Sequence, residues 1–311
     1  MERTRIILDV DTGVDDALAI LYALRSPGLD VLGITTCFGN VDVDRATRNT
    51  LAVVELCGLD VPVYRGAERP ILREWTGPVP WIHGEDGLGN TALPAPRRRA
   101  ESQEAASFLR EAIRRHPGEV ALVPVARLTN VARAFLFDPE LPRLVRGVVF
   151  MGGAAFCPGN VTAVAEANVW GDPEAAEIVL QSGAPLTMVG LDVTMRARLE
   201  AHELDRLNPA LPHAALVRDA VSFYMNAYEE TQGVRGRWCP LHDPLAVAVA
   251  EDPTLCTTRP YPVRISCDGA TAGMTVVDAR PHADKEPNVA VCVDVDVDRF
   301  LGRFRERLGM S

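Results

Sequence analysis

Apolar residues recur along this chain in short blocks set between longer mixed stretches. Ile6-Ile7-Leu8 is the first block, and others lie at 31–36, 61–64, 120–125, 145–151 and 186–191. Blocks rich in β-branched residues suit strands buried on both faces. The stretches between them read as helices over 15–24, 44–56, 102–115 and 130–137, and from Pro173 onward. Pro27-Gly28 stops the first of these. Strands that alternate with helices predict an α/β fold: a Rossmann-like, open, mostly parallel sheet flanked by helices. The second half predicts helix over 199–230 and again over 242–250. Short strands follow at 263–267, 274–277 and 289–295, then a last helix over 299–308. With no repeat, linker or low-complexity tract, residues 1–311 are expected to form a single domain.

Two segments break this rhythm. Residues 65–99 are rich in Pro, Gly and Trp, and residues 152–171 are rich in amides and carboxylates. Long loops within a compact domain are usually functional. The first is a candidate lid over a ligand.

In open α/β sheets, ligands bind beyond the carboxyl ends of the strands. The polar clusters of this chain fall there. Asp9-Val10-Asp11-Thr12-Gly13-Val14-Asp15-Asp16 ends the first strand. Carboxylates so close repel one another unless a cation neutralises them, and Ca²⁺ or Mg²⁺ is the hard ion that oxygen ligands favour. Helix capping by Asp15 or Asp16 accounts for one or two of these acids but not for all. His242-Asp243 opens a helix of small residues. A capping aspartate after a surface histidine is its plain reading; beside the first cluster it adds an oxygen ligand and a group that titrates near neutrality. The amides and acids of 159–174 match the vicinal hydroxyls of a sugar. Within that stretch, Asp172-Pro173 reads as a helix cap followed by a first-turn proline.

Composition narrows the field. Asp plus Glu number 42 against 32 for Lys plus Arg, a net charge of −10. That argues against binding nucleic acid or an anionic membrane. Lys285 is the only lysine, so no Schiff-base or phosphate-loop lysine operates upstream of it. The seven cysteines are scattered without a C-x-x-C spacing, as expected for free thiols in the cytoplasm. No apolar run is long enough for a signal peptide or a membrane span.

Together, five stretches of this sequence resemble the nucleoside hydrolase family of the inosine–uridine preferring type: Asp9 to Ala17, Thr35 to Asn40, His83-Gly84-Glu85-Asp86-Gly87-Leu88-Gly89, Met151 through Glu174, and His242-Asp243-Pro244. The resemblance implies Ca²⁺-dependent hydrolysis of the N-glycosidic bond of ribonucleosides of the uridine, cytidine and inosine class. It implies that Asp11 is the general base and also a Ca²⁺ ligand, with Asp16, Asp243 and the backbone carbonyl of Thr129 as the other ligands. Asp15, Asn40, Asn160, Glu166 and Asn168 would hold the ribose, with Met151 beside them and Asp9 behind the ligands. His83 and His242 would lie on the base side, His242 donating a proton to the departing nucleobase. A homodimer or tetramer is also implied. The sequence departs from the family pattern at Thr12, where proline is common. It departs at Ala126-Arg127, where Gly-Pro is usual, and at Ala167, where an aromatic residue often walls the base pocket. His242 points to the inosine–uridine or pyrimidine-preferring branches. Two other readings stay open: a catalytically silent nucleoside- or ribose-binding protein, and a haloacid-dehalogenase-type phosphatase, whose nucleophile strand Asp9-Val10-Asp11-Thr12 superficially resembles but whose downstream lysine is missing.

Overall fold

A computed structural model describes residues 3–283 and 285–310. Its first strands are β1 (Thr4–Val10), β2 (Leu29–Thr36), β3 (Val63–Arg65), β4 (Val120–Pro124), β5 (Gly147–Met151) and β6 (Leu186–Val189). Among them run α1 (Val14–Arg25), α2 (Val43–Leu56), α3 (Pro80–His83), α4 (Ala105–Arg115), α5 (Thr129–Phe137), α6 (Leu141–Leu144), α7 (Ala167–Gly171) and α8 (Pro173–Leu180). Then follow α9 (Leu191–Thr194), β7 (Arg198–Glu200), α10 (Ala214–Gln232), β8 (Trp238–Pro240) and α11 (His242–Glu251). The chain closes with β9 (Cys256–Tyr261), β10 (Val263–Ile265), β11 (Thr275–Val277), β12 (Val289–Val295) and α12 (Val297–Leu308).

Eight strands build the main sheet in the order β3-β2-β1-β4-β5-β6-β12-β9. All neighbours are parallel except β12 and β9. The fold is therefore a single-domain α/β fold of the Rossmann-like, mostly parallel kind. Parallel sheets need both faces covered, and the alternation along β1 shows how this is met. Ile6, Leu8 and Val10 pack into one apolar cluster with α1, α10 and α11. Ile7 packs into the other, with α4, α5 and α8. Strand order reverses where β1 lies between β2 and β4, which opens a crevice beyond their carboxyl ends.

α11 is buried from His242 to Ala250. A helix that is apolar all round belongs in a core. Ala246, Ala248 and Ala250 let it lie close to α1 and to the β4–β5 region. That placement carries His242 and Asp243 to the crevice.

The 199–230 helix and the strand from Val145 differ from expectation, and one strand of the main sheet has no counterpart in it. Residues 199–230 are not one helix: Leu199 and Glu200 belong to a strand, a 3₁₀ turn spans Ala201–Arg206, and Pro209 and Pro212 precede α10. β9 was unforeseen because it is polar and contains Pro260, features that suit only an edge strand. The strand expected from Val145 starts at Gly147, after the short α6. No helix among the described residues is long and apolar enough to cross a membrane.

Candidate active site

The acidic turn after β1 is shaped by its own side chains. Gly13 caps α1, and Asp16 at the third helical position accepts the amide of Gly13 at 2.9 Å through Oδ2 and that of Asp11 at 3.0 Å through Oδ1. The capping role foreseen for an acid is thus real, and Asp16 carries it. A Cβ at Gly13 would come 2.5 Å from His83 Nδ1 and 2.8 Å from Asn40 Nδ2, so glycine lets both side chains close over the turn. Asp9, one strand residue earlier, accepts from Thr35 Oγ1 at 2.6 Å and Asn130 Nδ2 at 2.7 Å. Burial pushes its carboxyl up to about 7, against the pull of those two donors.

The structure draws Asp15, Asp16 and Asp243 together, one oxygen of each within 4.8 Å of the others, and all three are buried. Burial, then mutual repulsion, raises each carboxyl: Asp15 to about 7, with Asp11 the main repelling neighbour, and Asp16 and Asp243 well above the ordinary range. Asp15 Oδ1 and Asp11 Oδ1 have no hydrogen-bond partner. Hard, crowded and partly orphaned oxygens fit a divalent cation.

Asp11 faces differently. Its Oδ2 accepts the Asn40 amide at 2.6 Å and pairs with Arg127 Nη1, an ion pair buried on both sides. Burial raises its carboxyl, and Arg127 opposes that rise. In the sequence Arg127 stands out only as a departure from Gly-Pro. Its buried charge was not foreseen, and an isolated arginine ahead of a Leu-Thr-Asn sequence carries little signal of one. Thr129 opens α5 just beyond, its hydroxyl donating to Asp172 at 2.7 Å. Asp172 also caps α8 by accepting from Ala175, as its place before Pro173 suggested.

The predicted sugar-facing residues line the same cavity of about 540 Å³, a size suited to a small ligand. Glu166 caps α7, accepting the amides of Asn168, Val169 and Gly153 at 2.8–3.1 Å. Asn168 Nδ2 donates to Val125 O at 2.8 Å and Met151 O at 3.2 Å, which leaves its Oδ1 toward Arg127. Asn160 Oδ1 accepts the Ala167 amide at 3.1 Å. Asn40 Nδ2 donates to Asp16 at 3.1 Å.

On the opposite wall, His83 Nδ1 accepts the Val14 amide at 3.1 Å. That places any ring proton on Nε2, and burial lowers the ring to about 3, with Arg127 and His242 adding to the effect. Its 3.9 Å approach to Asp15 is therefore a contact of a neutral ring, not an ion pair. His242 is buried rather than at the surface. Its Nε2 lies 2.8 Å from Tyr228 Oη and its Nδ1 2.7 Å from Thr194 Oγ1. Burial alone lowers it to about 3, so the near-neutral titration expected of this histidine does not survive folding. Tyr224 and Tyr228 were missed, although with Gln232 they stand at helical spacing on one face of α10. Tyr224 Oη donates to Asp15 Oδ2 at 3.2 Å and lies 3.4 Å from Tyr228 Oη. Hydroxyls thus link the acidic cluster to His242.

The 65–99 segment borders this cavity through Trp75, Trp81 and Ile82. It is held down where Arg73 grips Glu174 with bonds of 2.8–2.9 Å and where the Ile71 amide bonds Asp172 at 3.0 Å.

A family model described as inosine-uridine preferring nucleoside hydrolase matches residues 6–302. Uridine nucleosidase 1 of Arabidopsis thaliana is 37% identical, over 98% of this chain and 93% of its own. The pyrimidine-specific ribonucleoside hydrolase RihA of Citrobacter koseri is 39% identical over 97% of each. Among solved structures, a purine-preferring ribonucleoside hydrolase from Gardnerella vaginalis superposes with a TM-score of 0.92 at 39% identity, covering 98% of both chains.

Proposed function

Because the chain belongs to the inosine-uridine preferring nucleoside hydrolase family, and is accordingly an N-glycosyl hydrolase, we propose that it splits uridine, cytidine and inosine into ribose and free base with Ca²⁺ as cofactor. The observation that carries this reading is the convergence of Asp15, Asp16 and Asp243, with Asp15 and Asp243 opening onto the cavity that the sugar-facing amides line and Asp11 tied to that cavity through Asn40 and Arg127.

Asp11, Asp16 and Asp243 would hold the cation, joined by the Thr129 carbonyl, with Asp15 drawn against Asp16 and Asp243 on the ribose side. When bound, a cation of this kind supplies positive charge that offsets the crowded carboxylates and acidifies a nearby water. The free Oδ1 of Asp11 takes up the proton of the attacking water. Its other oxygen is committed to Asn40 and Arg127, so the acceptor is held in one orientation. Asp15, Asn40, Asn160, Glu166 and Asn168 hold ribose hydroxyls, with Met151 beside them. Positive charge that develops on the ribose ring is met by the surrounding carboxylates.

The leaving base lies toward His83 and His242. His242 serves as proton donor to the departing base: its ring, neutral at rest, takes up a proton in the substrate complex and passes it through the Tyr228 hydroxyl to the base, and the proton that the attacking water leaves on Asp11 closes the balance when the products depart. The proposal includes cytoplasmic residence and a homodimer or tetramer, which light scattering would measure. Relatives named for pyrimidines and for purines share this scaffold, so the test is a riboside panel. Uridine, cytidine, inosine, adenosine and 2′-deoxyuridine are incubated with the protein and the products separated. Free base from the first three and little from the deoxyriboside is expected, because the groups that bind the missing hydroxyl are left unpaired. Binding without any product would favour the silent receptor instead.

A further inference from the structure

Arg127 puts a permanent positive charge inside a site built to attract one. The residue is buried, and its guanidinium faces Asp11, Asn40 and Asn168. Two glycines clear its path. A Cβ at Gly171 would come 2.6 Å from Arg127 Nε and 2.8 Å from Cγ, and one at Gly39 would overlap both Nη1 and the Asp11 carboxylate. The stem is confined on one side and the head on the other, so the guanidinium is held at Asp11. Its Nη1 also lies 3.4 Å from Asn40 Oδ1 and 3.3 Å from Asn168 Oδ1, drawing both amide oxygens to the same point. Asp11 presses against Asp15 and Asp16, and Arg127 occupies one of its oxygens while the other stays free.

We propose that Arg127 is a positioning residue that acts as a resident cation: it holds Asp11 for the water, weakens the affinity of the three-carboxylate site for the divalent ion, and orients Asn40 and Asn168. The inference rests on the reading that a divalent cation occupies that site. One Asn40 amide spans the gap between the two charges, 3.4 Å from Arg127 Nη1 at one end and 3.1 Å from Asp16 Oδ2 at the other, and positive charges that close repel even at the effective dielectric of a protein interior, enough to shift binding by roughly tenfold or more. Unlike Gly-Pro at this position, an arginine would make the protein demand more calcium.

The test is calorimetric titration of Ca²⁺ into chelator-stripped protein: wild type, Arg127→Gln and Arg127→Lys, each checked for a cooperative melt. Arg127→Gln is expected to bind Ca²⁺ roughly tenfold or more tightly than wild type. Arg127→Lys, which keeps the charge, is expected to stay close to wild type. With uridine as substrate, the Gln variant should lose more kcat than KM, because Asp11 is no longer held. Unchanged or weaker Ca²⁺ binding by Arg127→Gln overturns the proposal, as does a Lys variant that tightens equally. No binding by wild type would instead remove the cation reading itself, and this inference with it.

Discussion

Removing and restoring the divalent ion should move the stability of the protein in a way its acids dictate. Asp15, Asp16 and Asp243 are buried together with their charged forms disfavoured. A cation that binds only the folded chain at a hundredfold excess over its Kd adds about 2.7 kcal/mol. At about 2.1 cal/mol/K of unfolding entropy per residue, the 311 residues give about 0.65 kcal/mol/K, so the melting temperature should rise by about 4 °C. The sharper perturbation is Asp243→Asn, which keeps the shape and removes a charge that burial, Asp15, Asp16 and Asp11 all oppose. In chelator this variant should melt above wild type, and calcium should no longer shift it. Differential scanning fluorimetry at pH 7.5, with chelator and then with excess calcium, reads both effects. If Asp243→Asn melts below wild type in chelator and still responds fully to calcium, the reasoning about the cluster is wrong.

Other consequences can be measured separately. Asp11→Asn is expected to lower turnover of uridine by roughly 10²- to 10⁴-fold, while calorimetry still detects calcium. The same variant should melt lower, since Arg127 loses its buried carboxylate. His242→Ala should slow uridine more than p-nitrophenyl riboside, whose leaving group needs no proton, and equal losses on the two would refute the donor role. Asp138 is held below the ordinary carboxylate range by Arg114, through bonds of 2.5 and 2.7 Å. A depressed carboxylate stabilises above its unfolded pKa of about 4 and loses that contribution as pH falls through the folded value. The melting-temperature gap between wild type and Arg114→Gln should therefore be open at pH 6 and narrow below pH 4.

The parts of this fold that were legible in the sequence are the local ones. Ile6 to Leu8 and 120–125 are apolar runs that only a sheet covered on both faces can bury, and the acids from Asp9 to Asp16 announce a site because four charges so close need a reason. His242-Asp243 was weaker as a pattern, and it took the small residues of α11 to carry the pair into the crevice. What escaped is set by distant contacts. β9 needs β12 beside it, and its Pro260 reads as loop until the edge is seen. Arg127 looks like any helix-flanking arginine until Gly39 and Gly171 are found leaving room for it. The neutral state of His242 follows from burial, which no spacing of residues reveals. Tyr224 and Tyr228 lay within a segment read as one long helix, and their shared face became visible once the strand and turn ahead of α10 were separated from it.

The most direct measurement is reducing-sugar release from uridine by chelator-stripped protein as calcium is titrated back. Ribose should be nearly absent before the titration and rise to saturation with calcium. Undiminished release in chelator, or calcium-saturated protein that frees no ribose from uridine, cytidine or inosine, would contradict the account.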